Sequence, residues 1–327
     1  IRGIEFQQGV WRYHPVTKEF ELFCEGGGNV FGLTFDARGR LFYSSNGGVF
    51  YHGVQGAYYE KNFGKHGPLH NPYAYGYFSS VAIKGTTGRP NTGATMYLAD
   101  SFPGRFHGVL LLGDFLTHTC SWWQVKPLGS TVQAELGGLW LNSRDTWFGA
   151  TDVCLGPAGE VYVCDFHDRR TAHPDPDAQW DRSNGRIYRI QASGARPAEI
   201  PDLPELGTDR LVELLAHPNA WYRQHARRLL AERRDSSAWP DLRRLLLQET
   251  NHDLALEALW AAHVSGGWDT ELQIAALRHP APHVRAWAVR LLGDFGKASD
   301  GVAERLLEMS RHEPNVIVRA QLAASAR

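Results

Sequence analysis

Two different internal repeats divide this sequence, and each is compatible with only one kind of secondary structure. Residues 31–46 and 148–165 share alternating apolar residues on both sides of a turn that contains Gly39 or Gly159. Alternation with a period of two places every second side chain on one face of a β-strand. Residues 214–230 and 276–292 instead space their apolar residues by three and four, which is typical of an amphipathic helix. The chain is therefore expected to contain a β part followed by an α part.

The first repeat predicts a partial β-propeller over residues 1–194. Further short strands are expected at residues 9–13, 108–112, 122–125 and 185–190, and Gly26 to Gly28 are expected to form a turn. Sheets of about four short strands are typical of propeller blades, although a β-sandwich can be built from the same strands. At roughly 40–50 residues per blade, three to four blades fit into this half, fewer than a closed ring normally needs. We therefore expect either that the propeller continues upstream of Ile1 or that this domain packs in an unusual way.

The second repeat predicts an α–α solenoid over residues 207–327. A histidine marks the corner between the two helices of a unit: His217, His279 and His312. An arginine recurs just inside the second helix: Arg223, Arg285 and Arg319. This pattern resembles HEAT repeats, whose helix pairs bury their apolar faces against neighbouring units. Residues 195–206 contain three prolines and are expected to be a linker between the two parts.

Composition agrees with this division and excludes several classes of function. Residues 1–206 hold 28 of the 34 glycines and 31 of the 38 aromatic residues, whereas residues 207–327 hold 19 leucines and 20 alanines. The net charge of −1 argues against a nucleic-acid binder or a protein that binds anionic membranes. The sequence has no apolar run long enough for a transmembrane helix. The four cysteines form no CxxC or CxxCH motif, which excludes a zinc ribbon and a c-type haem site, while one disulfide stays open.

The polar loop after residue 164 is the densest cluster of candidate ligands. Asp165 and Asp168 lie where a predicted strand ends, near the rim at which propeller sites usually form. Carboxylate oxygens suit Ca²⁺, so both residues are candidate metal ligands. His167 beside either aspartate would alternatively form a general base with its orienting carboxylate. Bracing of the loop by Asp–Arg pairs and Asx turns is the structural alternative.

Two further clusters combine histidine with aromatic or cationic side chains. Residues 66–78 contain His70 beside four aromatic residues, which offer hydrogen bonds and stacking faces to a sugar or a planar cofactor. Residues 100–118 contain Arg105, His107 and His118, and an arginine suits a cofactor carboxylate. For both clusters a purely structural loop is the alternative. Asp152, in the second copy of the strand repeat, is expected to point into the central channel.

Several segments resemble a bacterial family of membrane-bound dehydrogenases. The matching segments are residues 71–78, 100–103, 145–148 and 165–190, and the resemblance extends over nearly the whole chain. Such proteins follow a propeller, similar to that of quinoprotein sugar dehydrogenases, with HEAT repeats, and commonly end in a c-type cytochrome domain. The resemblance implies oxidation of a sugar or related alcohol in the periplasm or cell envelope. It also implies PQQ and Ca²⁺ as cofactors, with electrons passed to haem c on a domain outside this chain.

The same resemblance implies roles for individual residues. A histidine would be the general base or would bind the substrate: His70, His107 or His118. The quinone would be bound by Arg105, Arg169, Tyr75 and Asp152, and Ca²⁺ by Asp165 and Asp168. A non-enzymatic glycan- or protein-binding module is the alternative, with the HEAT surface taking a protein partner. A scaffold for the cytochrome is a third hypothesis.

Overall fold

The computed structural model describes residues 6–61, 70–74, 76–168, 183–195 and 199–326. The chain divides into two compact units, Ile1–Ala195 and Arg196–Arg327. Within the described residues, the first unit contains fourteen strands: β1 (Gly9–Tyr13), β2 (Phe20–Gly27), β3 (Val30–Phe35), β4 (Leu41–Ser45), β5 (Phe50–Gly53), β6 (Tyr58–Lys61), β7 (Ala82–Lys84), β8 (Asn91–Met96), β9 (Leu110–Asp114), β10 (Thr119–Leu128), β11 (Thr131–Asn142), β12 (Ala150–Leu155), β13 (Val161–Asp165) and β14 (Arg186–Ile190).

These strands form four sheets in the described part of the chain. Their strand orders are β1-β2-β6, β3-β4-β5, β7-β11-β10-β9-β8 and β12-β13-β14. Neighbouring strands are antiparallel, except that β2 pairs with β6, and β11 with β7, in parallel. The two copies of the sequence repeat form the hairpins β3–β4 and β12–β13, with Gly39 and Gly159 in their turns as predicted. Gly26 and Gly27 belong to β2, so the predicted turn is wrong for these two residues, while Gly28 lies in the bend between β2 and β3.

Each sheet buries aromatic and aliphatic side chains against the next sheet. Tyr43, Tyr51 and Tyr59 share a cluster between the first and second sheets. Phe50 and Trp123 belong to a cluster between the second and third sheets, with their rings 5.8 Å apart edge to face. A third cluster joins the five-stranded sheet to β12 and β13. Because the cores lie between successive sheets, the sheets are arranged as blades, which differs from the two-sheet core of a sandwich.

The inner strands β8 and β12 approach each other closely at a glycine. A Cβ placed on Gly93 would lie 2.5 Å from Asp152 Cα and 2.5 Å from Val153 N. Real Cβ atoms do not come this close to backbone atoms, so only glycine fits at this position. Backbone contact between the inner strands of two sheets therefore depends on Gly93.

The second unit consists of helix pairs. Its helices are α1 (Thr208–Glu213), α2 (Ala220–Arg233), α3 (Trp239–Gln248), α4 (His252–Ser265), α5 (Thr270–Leu277), α6 (Pro282–Phe295), α7 (Asp300–His312) and α8 (Val316–Ser325). Asparagine side chains begin three of them: Asn219 caps α2, Asn251 caps α4 and Asn315 caps α8. The helices share one core of leucine and alanine.

Leu203, within the proline-rich segment, is almost fully buried in the core of the helical unit. Arg233 donates hydrogen bonds to the carbonyls of Pro204 and Leu206, which fixes this segment against α2. Residues 203–206, the end of the segment expected to be a linker, are thus packed against the helical unit.

The predicted fold class, a partial propeller of three to four blades followed by a helical region, is confirmed by the four sheets and by the helices that follow them. Membership of the helix pairs in the HEAT class stays a prediction. All four cysteines are free.

Candidate active site

His70 contacts a buried carboxylate that lies 45 residues earlier in the sequence. Its Nδ1 lies 2.7 Å from Glu25 Oε2. Glu25 is only 6% exposed, whereas the His70 side chain is partly open to solvent. A carboxylate at Nδ1 orients the imidazole ring, and Nε2 then lies on the side of the ring that faces away from that carboxylate. Glu25, on the central strand β2 of the first sheet, and His70 therefore form a histidine–carboxylate pair.

The local backbone explains how Glu25 reaches this position. Glu25 is paired with Tyr58 across β2 and β6, and the register shifts immediately after it, between Gly26 and Gly27. Gly26 has φ = 97°, and a Cβ there would overlap the Tyr59 carbonyl. Glycine at this position lets β2 pack against β6 while Glu25 remains beside Tyr58.

A small recess that is open to solvent adjoins Glu25. It is lined by Phe6, Gln7, Gln8, Glu25, Gly26, Tyr58 and Lys61. The Lys61 ammonium group donates a hydrogen bond to Gln7 Oε1. Burial raises the pKa of the Tyr58 hydroxyl, and the charge of Glu25 raises it further, so Tyr58 is a neutral donor at physiological pH. The pocket thus combines a carboxylate, an ammonium group and a phenol.

Of the exposed aromatic rings that follow His70 in the sequence, that of Tyr77 contacts Tyr58, which lines this pocket. Asn71 fixes their loop by donating from Nδ2 to the Gly56 carbonyl at 2.7 Å and accepting from the Tyr73 amide at 3.0 Å. The rings of Tyr58 and Tyr77 are 5.3 Å apart. Tyr73 is 68% exposed and Tyr77 53% exposed, which leaves ring surface for a sugar to stack on. Tyr75, a predicted cofactor ligand, lies outside the described residues.

Asp165 and His118, both predicted site residues, converge on the segment that precedes β12. Asp165 Oδ1 accepts hydrogen bonds from the amides of Gly149 and His167, each at 2.8 Å. Asp165 Oδ2 lies 3.2 Å from His167 Nδ1. His118 Nδ1 lies 2.6 Å from the Phe148 carbonyl oxygen. Asp165 and His118 thus hold adjacent residues of one loop.

The contacts of Asp165 favour the bracing alternative. Its side chain is fully enclosed, and both oxygens face protein donors. Asp168 is also buried, at 1% exposure. In the part of the chain that the structure describes, no three His, Cys, Asp or Glu side chains are grouped to hold a metal ion. The described residues therefore do not present the open set of oxygen ligands that Ca²⁺ requires.

The remaining predicted ligands make local contacts. The guanidinium of Arg105 lies over the ring of the adjacent Phe106 at 4.8 Å. His107 Nε2 lies 2.9 Å from the Phe102 carbonyl oxygen, and Asp152 Oδ1 accepts from the Val153 amide at 2.8 Å. Arg169 lies outside the described residues.

Glu25 was not among the residues selected from the sequence. The only local signal is its place directly before three glycines, a pattern that predicts a turn.

One family profile, described as a domain of unknown function (DUF7133), matches residues 2–194, which is more than half of the chain. No curated protein matches the sequence. Of the helices in the described residues, none combines the length and apolar character needed to cross a bilayer.

Solved structures of glucose dehydrogenases show a limited similarity. An oxidoreductase of the glucose dehydrogenase type from Thermus thermophilus is 18% identical with a TM-score of 0.37, over 52% of this chain and 46% of that chain. Two structures described as glucose dehydrogenases are 15% and 17% identical, with TM-scores of 0.36 and 0.33. They cover 55% and 53% of this chain, and 49% and 43% of theirs. The chain thus spans less than half the length of each of these structures.

Proposed function

This chain belongs to the DUF7133 family, and we propose that it is part of a dehydrogenase that oxidises a sugar or related alcohol at His70. The family's description assigns no activity, so the proposal rests on this chain's own residues. The observation that carries the proposal is the 2.7 Å contact between His70 Nδ1 and Glu25 Oε2. The pocket beside Glu25 and the exposed tyrosines supply the substrate-binding surface.

Oxidation of an alcohol begins with a hydroxyl group that must lose its proton. His70 Nε2 accepts that proton, and the Glu25 carboxylate stabilises the imidazolium that forms. Lys61 and Tyr58 donate hydrogen bonds to neighbouring hydroxyl groups, while Tyr73 and Tyr77 stack on the apolar face of the sugar ring.

The substrate's hydride requires an acceptor, for which the sequence resemblance names PQQ with Ca²⁺. The described residues do not fit these groups, because Arg105 and Asp152 have local contacts and the Asp165 carboxylate is enclosed. His70 therefore accounts for the proton alone, and the hydride would have to pass to a redox cofactor held by other residues than these. Transfer of electrons to a c-type cytochrome and a periplasmic or cell-envelope location are proposals that follow from the resemblance alone.

Dye reduction tests the proposal. The full chain is supplied with PQQ, Ca²⁺, an artificial electron acceptor and a panel of aldoses and polyols. We expect His70→Gln to lower turnover at least tenfold, since a general base contributes roughly 10²–10⁴-fold. Glu25→Gln should lower it less, because the base remains. His14→Gln, an exposed histidine on the β1–β2 turn, is the matched control. Full turnover in His70→Gln would contradict the assignment, and His107→Gln and His118→Gln then test the other two histidines.

The exposure of Tyr73 and Tyr77 specifically favours a second function, carbohydrate binding without catalysis. Calorimetric titration with the same sugars, compared with the turnover assay, distinguishes the dehydrogenase from a carbohydrate-binding module. Sugar binding that is weakened by Tyr77→Ala, without turnover in the wild type, would identify a binding module. Phe295→Ala is the control, because this exposed ring belongs to the helical unit.

A further inference from the structure

The turn between β5 and β6 is hydrogen-bonded to the strand that carries Glu25. The Glu25 amide donates to the Ala57 carbonyl at 2.9 Å, and the Gly56 amide donates to the Phe23 carbonyl at 2.7 Å. The turn is closed by a 3.0 Å hydrogen bond from the Ala57 amide to the Val54 carbonyl. The β5–β6 turn is therefore fixed relative to the backbone of Glu25.

Asn71, the residue after His70, binds the same turn. Its Nδ2 donates to the Gly56 carbonyl at 2.7 Å. Its Oδ1 accepts the Tyr73 amide at 3.0 Å, which forms an Asx turn around Pro72. Because the side-chain oxygen already accepts a backbone N–H, the NH2 group has one orientation, toward the Gly56 carbonyl.

These contacts form a closed ring around the histidine–carboxylate pair. His70 contacts Glu25 at 2.7 Å, and Asn71 binds Gly56 in the turn that is hydrogen-bonded to the Glu25 strand. His70 and the two residues after Asn71 are exposed, so burial of apolar surface contributes little to holding segment 70–74. The position of this segment therefore depends on hydrogen bonds such as that of Asn71.

We propose that Asn71 is a positioning residue for His70, because its hydrogen bond to the Gly56 carbonyl holds the imidazole ring against Glu25. Without this bond, segment 70–74 keeps its internal turn but is free to move away from the β5–β6 turn. His70 Nδ1 then loses the carboxylate that orients it. The effect on turnover rests on the proposed role of His70 as the base, whereas the contact itself is observable without substrate.

Asn71→Asp separates the two hydrogen bonds of this side chain. Aspartate keeps an oxygen for the Tyr73 amide, since it forms the same Asx turn, but it has no donor for the Gly56 carbonyl. Asn71→Ala removes both hydrogen bonds without adding a charge, so effects that the two variants share are not due to the aspartate charge. Asn251→Asp is the matched control, because the Asn251 side chain also accepts backbone amides, at the start of α4 in the helical unit.

Nuclear magnetic resonance of the full chain with isotopically labelled histidine measures the contact. A proton on His70 Nδ1 that donates to Glu25 is protected from exchange with water, and the absence of its resonance in His70→Gln assigns it. We expect this resonance in the wild type and in Asn251→Asp, and its loss in Asn71→Asp and Asn71→Ala. Circular dichroism and thermal unfolding check that each variant is folded.

Turnover of a sugar by the wild type gives a second readout. Asn71→Asp should lower kcat about tenfold with little change in KM, because a displaced base slows the proton transfer more than it weakens binding. In a chain that already carries His70→Gln, Asn71→Asp should have no further effect, since Asn71 acts through His70.

A His70 Nδ1 resonance that persists in both Asn71 variants, or that is missing from the wild type, would overturn the proposal. Additive losses of kcat in the double variant would also overturn it, because Asn71 would then act independently of His70. Loss of the resonance in both Asn71 variants without any change in kcat would support the positioning role and contradict the proposed base. A wild type without turnover contradicts the proposed function alone, and the resonance still decides the role of Asn71.

Discussion

The Asn91 side-chain amide donates a 2.6 Å hydrogen bond to Asp114 Oδ1 between two adjacent strands, β8 and β9. Asp114 is fully buried, and its other carboxylate oxygen has no hydrogen-bond partner among the described residues. Burial raises the pKa of Asp114 to about 6, although hydrogen bonds from Ser121, Asn91 and Thr87 partly counteract this rise. The carboxylate is thus held where its charged form is unfavourable.

Replacing Asp114 with asparagine should stabilise the protein at neutral pH. Between pH 3.8 and 6 the folded state binds more protons at this site than the unfolded state, so the site's contribution to stability falls as the pH rises. Above pH 6 the charge costs about 3 kcal/mol. Urea unfolding of Asp114→Asn should therefore show a gain of about 1–3 kcal/mol at pH 8 that disappears near pH 4. Asp100→Asn, an exposed control, should show no such dependence. An equal effect of Asp114→Asn at both pH values would contradict the assignment.

The contribution of His52 to folding stability should change with pH in the opposite direction to that of Asp114. Burial lowers the pKa of His52 to about 4, and the charge of Arg40 lowers it further, while Asp36 raises it. Between pH 4 and 6.5 the unfolded state binds more protons, so this contribution to stability is present above pH 6.5 and is lost as the pH falls. We expect His52→Gln to reduce the loss of unfolding free energy between pH 7 and pH 4 by about 1–3 kcal/mol. His14→Gln is the exposed control, and equal pH profiles for the two variants would refute the prediction.

The sequence predicts the features that depend on neighbouring residues. It does not predict contacts between residues that are far apart in the chain. The hairpin β12–β13 and the corners before α2, α6 and α8 depend on neighbouring residues, so periodicity and turn residues predicted them. The Glu25–His70 contact joins a strand to a loop 45 residues later, and no local pattern specifies it. Arg105 was selected for its charge, yet the adjacent Phe106 ring offers the guanidinium a nearer partner.

Asp165 provides a direct test of bracing against calcium binding. Asp165→Ala leaves the amides of Gly149 and His167 without their acceptor, which should cost about 2–4 kcal/mol of stability. Thermal unfolding of the wild type should be the same with Ca²⁺ as with a chelator. A rise in the wild-type unfolding temperature with Ca²⁺ that is lost in Asp165→Ala would instead establish this residue as a calcium ligand. Asp152→Ala, an exposed carboxylate, is the control for the general effect of removing charge.

Gly93→Ala should disrupt the contact between the inner strands. The added methyl group would meet the backbone of Asp152 and Val153 at 2.5 Å, and backbone atoms cannot turn aside as a flexible side chain can. Overpacking of this kind typically costs about 1–3 kcal/mol, and the rigid neighbours place the expected loss at the upper end. Gly104→Ala is the matched control, since its Cβ would have no neighbour within 4 Å and its φ lies outside the left-handed region. Chemical denaturation of both variants measures the difference. Equal stability of the two would mean that β8 and β12 are not in backbone contact, and the packing of the third sheet against the fourth would have to be revised.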